Sequence, residues 1–356
     1  MNYKESFFFI GKCLTISHDK ANKILIEKQL ESGLVDWDLV TKVSTSHYVF
    51  PALYCNLKRA NFLMYLPQDL VDYMINISDL NRERNLQIIE QAKEINELFL
   101  ANNITPIFLK GAGNLLEGLY EDIAERMLGD IDFIFSKEEY PKAIEIITNY
   151  GYSKVRNTDF ELPSFKHYPR LQKENSIAAI EVHKEIVIEK YAKEFNFTFI
   201  EKDKIFKGGI HLLSYENQFA ATIIAHQINN HGQFYNVVSL RNMYDIFLLS
   251  MKINSLSFID KFNLLFHPLN NYIALCNKTL GQVSTLKHKT TKKSLKALTI
   301  NNKLLESYSF RKKNEKKWNN YLFLKIRLEI VFKSLYKNEY RVWLIKRLIN
   351  GRQNLK

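Results

Sequence analysis

Between Ile104 and Phe135 the spacing of apolar positions changes twice. Ile104 to Leu109 is a nearly unbroken apolar run, partly β-branched, with Pro106 near its start, and it reads as a strand. Lys110-Gly111-Ala112-Gly113 breaks the run, and Leu115, Leu116, Leu119 and Tyr120 follow at helical spacing. The stretch Gly129-Asp130-Ile131-Asp132-Phe133-Ile134-Phe135 then alternates. In a strand, Ile131 and Phe133 face a core while Asp130 and Asp132 share the opposite face. The pattern predicts strand, glycine turn, helix, loop and strand.

The same reading extends along the chain. Residues 1 to about 100 follow a helical pattern, and Pro67 opens a long helix whose apolar positions run through Leu70, Val71, Met74 and Ile77 to Ile88, Ala92, Ile95 and Phe99. These helices are expected to lean on the core and to offer one wall of a substrate cleft. Lys137 to Tyr150 predicts a helix stopped by Gly151, and Tyr152 to Val155 a short strand. Phe165 to Leu171 and Ser176 to His183 read as two strands, with Glu181 and His183 on one face of the second. Residues 191 to 250 read as helix, with a cap at Ser214, an apolar helix from Phe219 to Ile228, and another carrying Leu240, Tyr244, Asp245 and Leu248. Two amphipathic helical runs follow, Tyr321 to Leu335 and Tyr340 to Ile349. The fold class is α+β: a small mixed sheet embedded in a largely helical chain. Four regions are expected: 1–100 helical, 101–190 the core, 191–250 helical and packed on it, and 251–356 basic and helical.

Composition refines this. Only 12 glycines and 7 prolines among 356 residues argue for a helix-rich chain without long flexible linkers. Cys13, Cys55 and Cys276 are isolated, which points to buried thiols rather than a disulfide framework or a zinc site. No apolar run reaches bilayer length, and Phe7 to Ile10 is too short for a signal segment, so a cytoplasmic location is expected. The net charge of +12 is lopsided: residues 251–356 hold 23 basic and 5 acidic side chains, the remainder 27 and 33. A solvated basic surface, a nucleic-acid or anionic-membrane patch, and a docking arm for an acidic partner all remain open for this segment.

The chemistry concentrates on the alternating strand. Two carboxylates side by side repel unless a cation lies between them, and hard oxygen ligands favour Mg²⁺ or Mn²⁺. A strand edge with solvated aspartates is the competing reading. If the strand ending in Glu181 and His183 neighbours it, three carboxylates converge, enough to hold two ions for phosphoryl or nucleotidyl transfer. His183 reads either as a packed histidine or as a group orienting Glu181.

The order Leu109-Lys110-Gly111, Leu119-Tyr120, Arg126, Asp130-Ile131-Asp132 and Glu181-Val182-His183 resembles the uncharacterised bacterial nucleotidyltransferase family of the DNA polymerase β-type superfamily. The likeness covers roughly residues 30 to 250. Gly111-Ala112 stands where the wider superfamily has Gly-Ser, and Lys184 where the closer family often has Trp. The resemblance implies transfer of a nucleoside monophosphate from an NTP to an acceptor, with Asp130, Asp132 and Glu181 catalytic and holding two Mg²⁺ (or Mn²⁺) ions. It implies nucleotide binding by Lys110, Gly111 and Arg126. His226, His231, Leu240 and Asp245 match a helical pair of the family. A buried His–Asp contact between the helices, or His231 (with His183) near the acceptor, are the two readings of that match. The acceptor stays open among a small molecule or glycan, RNA and protein. A catalytically silent nucleotide-binding protein, or a basic nucleic-acid- or partner-binding protein on the same fold, is the alternative.

Overall fold

The computed structural model describes residues 1–155 and 166–350, with the side chain of Asn350 left out. Seven strands form one mixed sheet: β1 Ile107–Leu109, β2 Asp130–Ile134, β3 Ser153–Lys154, β4 Leu171–Gln172, β5 Ala179–His183, β6 Ile205–Lys207 and β7 Ile210–Leu212. Their spatial order is β3-β4-β5-β2-β1-β7-β6. β2 lies at the centre, antiparallel to β1 and parallel to β5. Helices surround the sheet, so the α+β expectation holds.

The alternation in β2 does what its pattern dictates. Ile131 and Phe133 are fully buried. Phe133 meets Phe99 and Phe108 at ring-centroid distances of 5.4 and 5.8 Å, and Phe99 meets Phe135 at 4.8 Å. Each such ring contributes about 1.5–3 kcal/mol on burial, plus about 0.5–1.5 kcal/mol per aromatic pair. Phe99 belongs to the 34-residue helix Gln68–Ala101, whose buried Val71, Met74, Ile88, Ala92 and Ile95 keep to the anticipated face. Pro67 sits at the N-cap of that helix, just ahead of the position anticipated for it.

Three departures have local causes. The helix after β1 starts at Lys110 and runs to Glu117 through both glycines, so no glycine turn separates strand from helix. The glycines serve close packing instead. A Cβ on Gly111 would lie 2.4 Å from Leu128, and one on Gly113 would lie 3.0 Å from the Phe108 carbonyl. That helix ends at Gly118 (φ +78), leaving Leu119 and Tyr120 beyond it. Secondly, residues 191–250 are not all helical: β6 and β7 form a hairpin across Gly208-Gly209 (φ +57 and +82), and β7 pairs in parallel with β1. Phe206 on this hairpin is exposed, which is why the apolar pattern does not announce a strand there. Thirdly, the first C-terminal run begins earlier than anticipated, in a 29-residue helix Tyr308–Tyr336, while the second lies in its own helix, Asn338–Asn350.

The strand anticipated from Phe165 to Leu171 is reduced to the two-residue β4 and an isolated bridge. β4 joins β5 at Leu171↔Ile180, and His167 bridges to His183. Phe165 lies outside the described residues. All three cysteines are buried and free. Among the described residues no helix is long and apolar enough to cross a membrane.

Candidate active site

Strand register builds one wall of the site. Asp132 pairs with Glu181 across β2 and β5, and with Leu109 across β2 and β1. Alternation then places Asp130, Asp132, Glu181 and His183 on one side of the sheet. One ligating atom each from Asp132, Glu181 and His183 lie within 4.8 Å of one another. His183 Nε2 is 2.9 Å from Asp132 Oδ1 and 3.4 Å from Glu181 Oε2. Lys110 Nζ is 2.5 Å from Asp132 Oδ1 and 3.8 Å from Glu181 Oε2. Asp130, two residues back, is 3.8 Å from Arg170 Nη2.

The electrostatics follow from burial. Burial, then the charges of Asp132 and Glu181, push Asp130 up to about 6. Burial works the same way on Asp132, but Lys110 and His183 outweigh it and hold that carboxyl well below the usual range. Glu181 is also lowered: burial opposes ionisation, while the His183 hydrogen bond and the Lys110 charge prevail. Burial disfavours the Lys110 ammonium, yet Asp132 and Glu181 raise it overall.

The facing wall is cationic, and the two walls enclose a cavity of about 290 Å³ lined also by Arg126, Lys166, His226, Asn229 and Arg241. Lys110 carries left-handed backbone (φ +52) at the end of β1. Gln218 secures it, accepting from the Lys110 N–H at 3.0 Å and donating to its carbonyl at 2.5 Å. The helix Tyr215–Ile224 that carries Gln218 is capped by Ser214. Arg126 is held differently. Its Nε donates to Asp245 Oδ2 at 3.1 Å, and Tyr120 donates to Asp245 Oδ1 at 2.7 Å. Asn81 and Asn85, on the long helix, both donate to the Arg126 carbonyl. Arg241 donates to the Met127 carbonyl, stacks over Tyr48, and keeps a buried Nε without a partner. Burial, then the charge of Arg126, lowers Arg241 to about 10.

Each residue singled out in the sequence has a definite place. Asp130, Asp132, Glu181, His183, Lys110, Gly111 and Arg126 all line the cavity. His231 does not; it sits at a left-handed turn (φ +58) beside Phe234. The anticipated His–Asp contact is replaced, because Tyr120 and Arg126 take both oxygens of Asp245. His226 instead meets the Gln227 side chain at 3.0 Å. The first hundred residues lean on the core but contribute nothing to the lining of this cavity.

Gln218, Lys166 and Arg241 were not foreseen. A signal exists for two of them. Gln218, Thr222, His226 and Asn229 recur at helical spacing in an otherwise apolar segment, a polar stripe that asks for a polar neighbour. Arg241 and Asp245 stand four apart on one helix, hence on one face. Lys166 carries no such pattern.

A mixed sheet bearing acidic residues in register, opposite a cationic wall, defines a site suited to phosphate chemistry. Residues 33–276 match the sequence profile of a family described as uncharacterised nucleotidyltransferase, well over half of the chain, and the protein belongs to that family. That description makes the family one of nucleotidyltransferases. Two solved Helicobacter pylori structures are distantly similar. The crystal structure of JHP933 is 12% identical with a TM-score of 0.29, covering 67% of this chain and 97% of that one. A chain provisionally named a nucleotidyltransferase is 12% identical with a TM-score of 0.30, covering 67% and 96%. No curated protein matches the chain.

Proposed function

We propose that this protein transfers a nucleoside monophosphate from an NTP to a hydroxyl or phosphate of an acceptor, releasing pyrophosphate, in a reaction that depends on divalent metal. The observation that carries the reading is the register of Asp132 with Glu181, which gathers these two carboxylates and His183, with Asp130 lining the same cavity, against a cationic wall. The donor set fits hard divalent cations. Asp132 and Glu181 are ionised and close, and the like charges around Asp130 are what a cation would relieve. Asp130, Asp132 and Glu181 would hold two Mg²⁺ (or Mn²⁺) ions, which when bound neutralise charge on the triphosphate and the leaving pyrophosphate.

The chain's own groups do the rest. Gly111 lines the cavity at the start of a helix, where backbone N–H groups would meet phosphate. Lys110 and Arg126 offer cationic charge to the phosphates, and Arg241 has an N–H to spare. Glu181 accepts the acceptor's proton as the acceptor oxygen bonds to the α-phosphorus and the bond to pyrophosphate breaks. His183 orients Asp132 and Glu181 through one ring nitrogen. The test is incubation with each α-labelled NTP and Mg²⁺ in cell extract. Label transferred to a discrete product supports the reading; none with any NTP rejects it.

One observation favours a second reading, a nucleotide-binding protein without turnover. The Lys110 ammonium already sits on Asp132 at 2.5 Å, closer than phosphate capture alone would require. Tight NTP binding that needs no divalent ion, together with no labelled product, would select it.

A further inference from the structure

The C-terminal helix Tyr308–Tyr336 carries apolar side chains on two sides. Leu322 and Ser334 are buried on one side, against the rest of the chain. On the opposite side, Tyr321, Leu324, Leu328, Val331, Phe332 and Leu335 fall within about 100° of arc at 100° per residue. This outer stripe is open: Leu324, Leu328, Phe332 and Leu335 are 61, 59, 63 and 70% exposed. After a bend at Lys337, Val342, Ile345 and Ile349 repeat the pattern, also exposed, on the helix Asn338–Asn350. Isolated exposed leucines are ordinary, but a continuous stripe of this length marks an interaction surface.

Charge decides what covers it. Residues 307–350 hold 12 basic and 3 acidic side chains. Lys325 and Arg327 flank the stripe on either edge, and Lys313 and Lys317 extend it towards the helix start. A second copy of the same surface would bring like charges together. Nucleic acid suits the cations but not an aliphatic stripe. The ring positions that could stack on bases are partly committed elsewhere, since Trp318 and Tyr321 pack on Phe234 at 5.2 and 5.9 Å. Exposed Leu, Val and Phe rimmed by Lys and Arg match an anionic lipid surface. There the apolar side chains enter the acyl boundary and the cations meet headgroup phosphates. Neither helix can span a bilayer, so the segment lies in the interface plane.

We propose that residues 308–350 form an interfacial helix pair that docks the protein on anionic membranes. The test uses the full-length protein and co-flotation with vesicles of phosphatidylcholine alone or mixed with phosphatidylglycerol. The expected result is binding to the mixed vesicles only, weakened by salt. A Leu328→Glu/Phe332→Glu double variant should bind them at least about tenfold more weakly while melting as the wild type does. These residues line no part of the candidate active site, so nucleotide binding should be unchanged. Binding to neither vesicle, equal binding to both, or unaltered binding by the double variant overturns the proposal. A wild-type dimer that the double variant dissociates also overturns it, because the stripe is then covered by a second copy. Salt-dependent RNA binding without vesicle binding overturns it as well, by assigning the cations to nucleic acid.

Discussion

The two walls of the cavity are built by different physics. The carboxylate wall is set by backbone register: once β2 and β5 pair, Asp132 and Glu181 must be neighbours whatever else surrounds them. The cationic wall is set by side-chain contacts between segments far apart in sequence. Lys110 depends on Gln218, and Arg126 depends on Asp245, Tyr120, Asn81 and Asn85. The first wall therefore holds electrostatic stress that the fold tolerates, seen in the raised Asp130. The second wall is structurally contingent, and its Arg241, pressed by burial and by Arg126, carries stress of its own. Altering the first should change chemistry more than stability; altering the second should change stability first.

The largest expected effect lies on the carboxylate wall. Asp132→Asn should lower the rate of nucleotidyl transfer by about 10³-fold or more, on the order of 4 kcal/mol of transition-state stabilisation. Its fold should stay intact, since the register is backbone-made, with a lesser loss in melting temperature because Lys110 and His183 lose a charged partner. Single-turnover kinetics beside a melting curve check both halves. A rate loss accompanied by an equally severe loss of fold would erase the contrast between the walls.

Asp245→Ala is the counterpart on the cationic wall. Asp245 is 1% exposed, and removing it strands the buried Arg126 guanidinium. Breaking one partner of such a pair costs about 3–5 kcal/mol, measurable as a lowered denaturant midpoint. Tyr120→Phe should cost less, because it removes one hydrogen bond and leaves the ion pair intact.

Acid should also act on the cationic wall. Burial, then the charges of Arg241 and His47, lower His226 to about 4, against about 6.5 for an unfolded histidine. Between these values the unfolded chain binds the proton and the folded chain does not, so stability falls as pH drops from about 6.5 to about 4. The loss is on the order of 3 kcal/mol, and His226→Gln should flatten that part of the stability–pH curve. An unchanged slope would show that His226 is not held neutral in the fold.

The smallest change expected is for Gln218→Leu. It leaves the Lys110 N–H and carbonyl without their side-chain partner, at about 1–3 kcal/mol. Because Lys110 occupies left-handed backbone, its ammonium should also lose its place beside Asp132. Weaker nucleotide binding beside a modest fall in melting temperature is the expected pair of readouts.

The contrast between the walls also explains what could be read from the amino-acid order. Period-2 alternation names Asp130 and Asp132 as same-face residues, and the same arithmetic pairs Glu181 with His183. Pairing of the two strands follows from neither pattern; it needs the sheet. The cationic wall is harder to read: the polar stripe of Gln218, Thr222, His226 and Asn229 asks for a polar neighbour, but a hydrogen bond from Gln218 to Lys110 spans 108 residues and no pattern names that partner. Asp245 illustrates the cost. The match to the family's helical pair suggests a His–Asp contact, while the folded chain gives both Asp245 oxygens to Tyr120 and Arg126. The hairpin of β6 and β7 escapes for a local reason: its strands are three residues each, too short for a period to register, Phe206 faces solvent, and only Gly208-Gly209 signals the turn.

The central claim is that Asp130, Asp132 and Glu181 together bind divalent metal with the nucleotide. Titration of Mn²⁺ followed by electron paramagnetic resonance, in the presence of a non-hydrolysable NTP analogue, addresses it without an acceptor. The account predicts tight, nucleotide-dependent Mn²⁺ binding to the wild type, lost in Asp132→Asn and weakened in Glu181→Gln. Mn²⁺ binding of equal strength in all three proteins would contradict it.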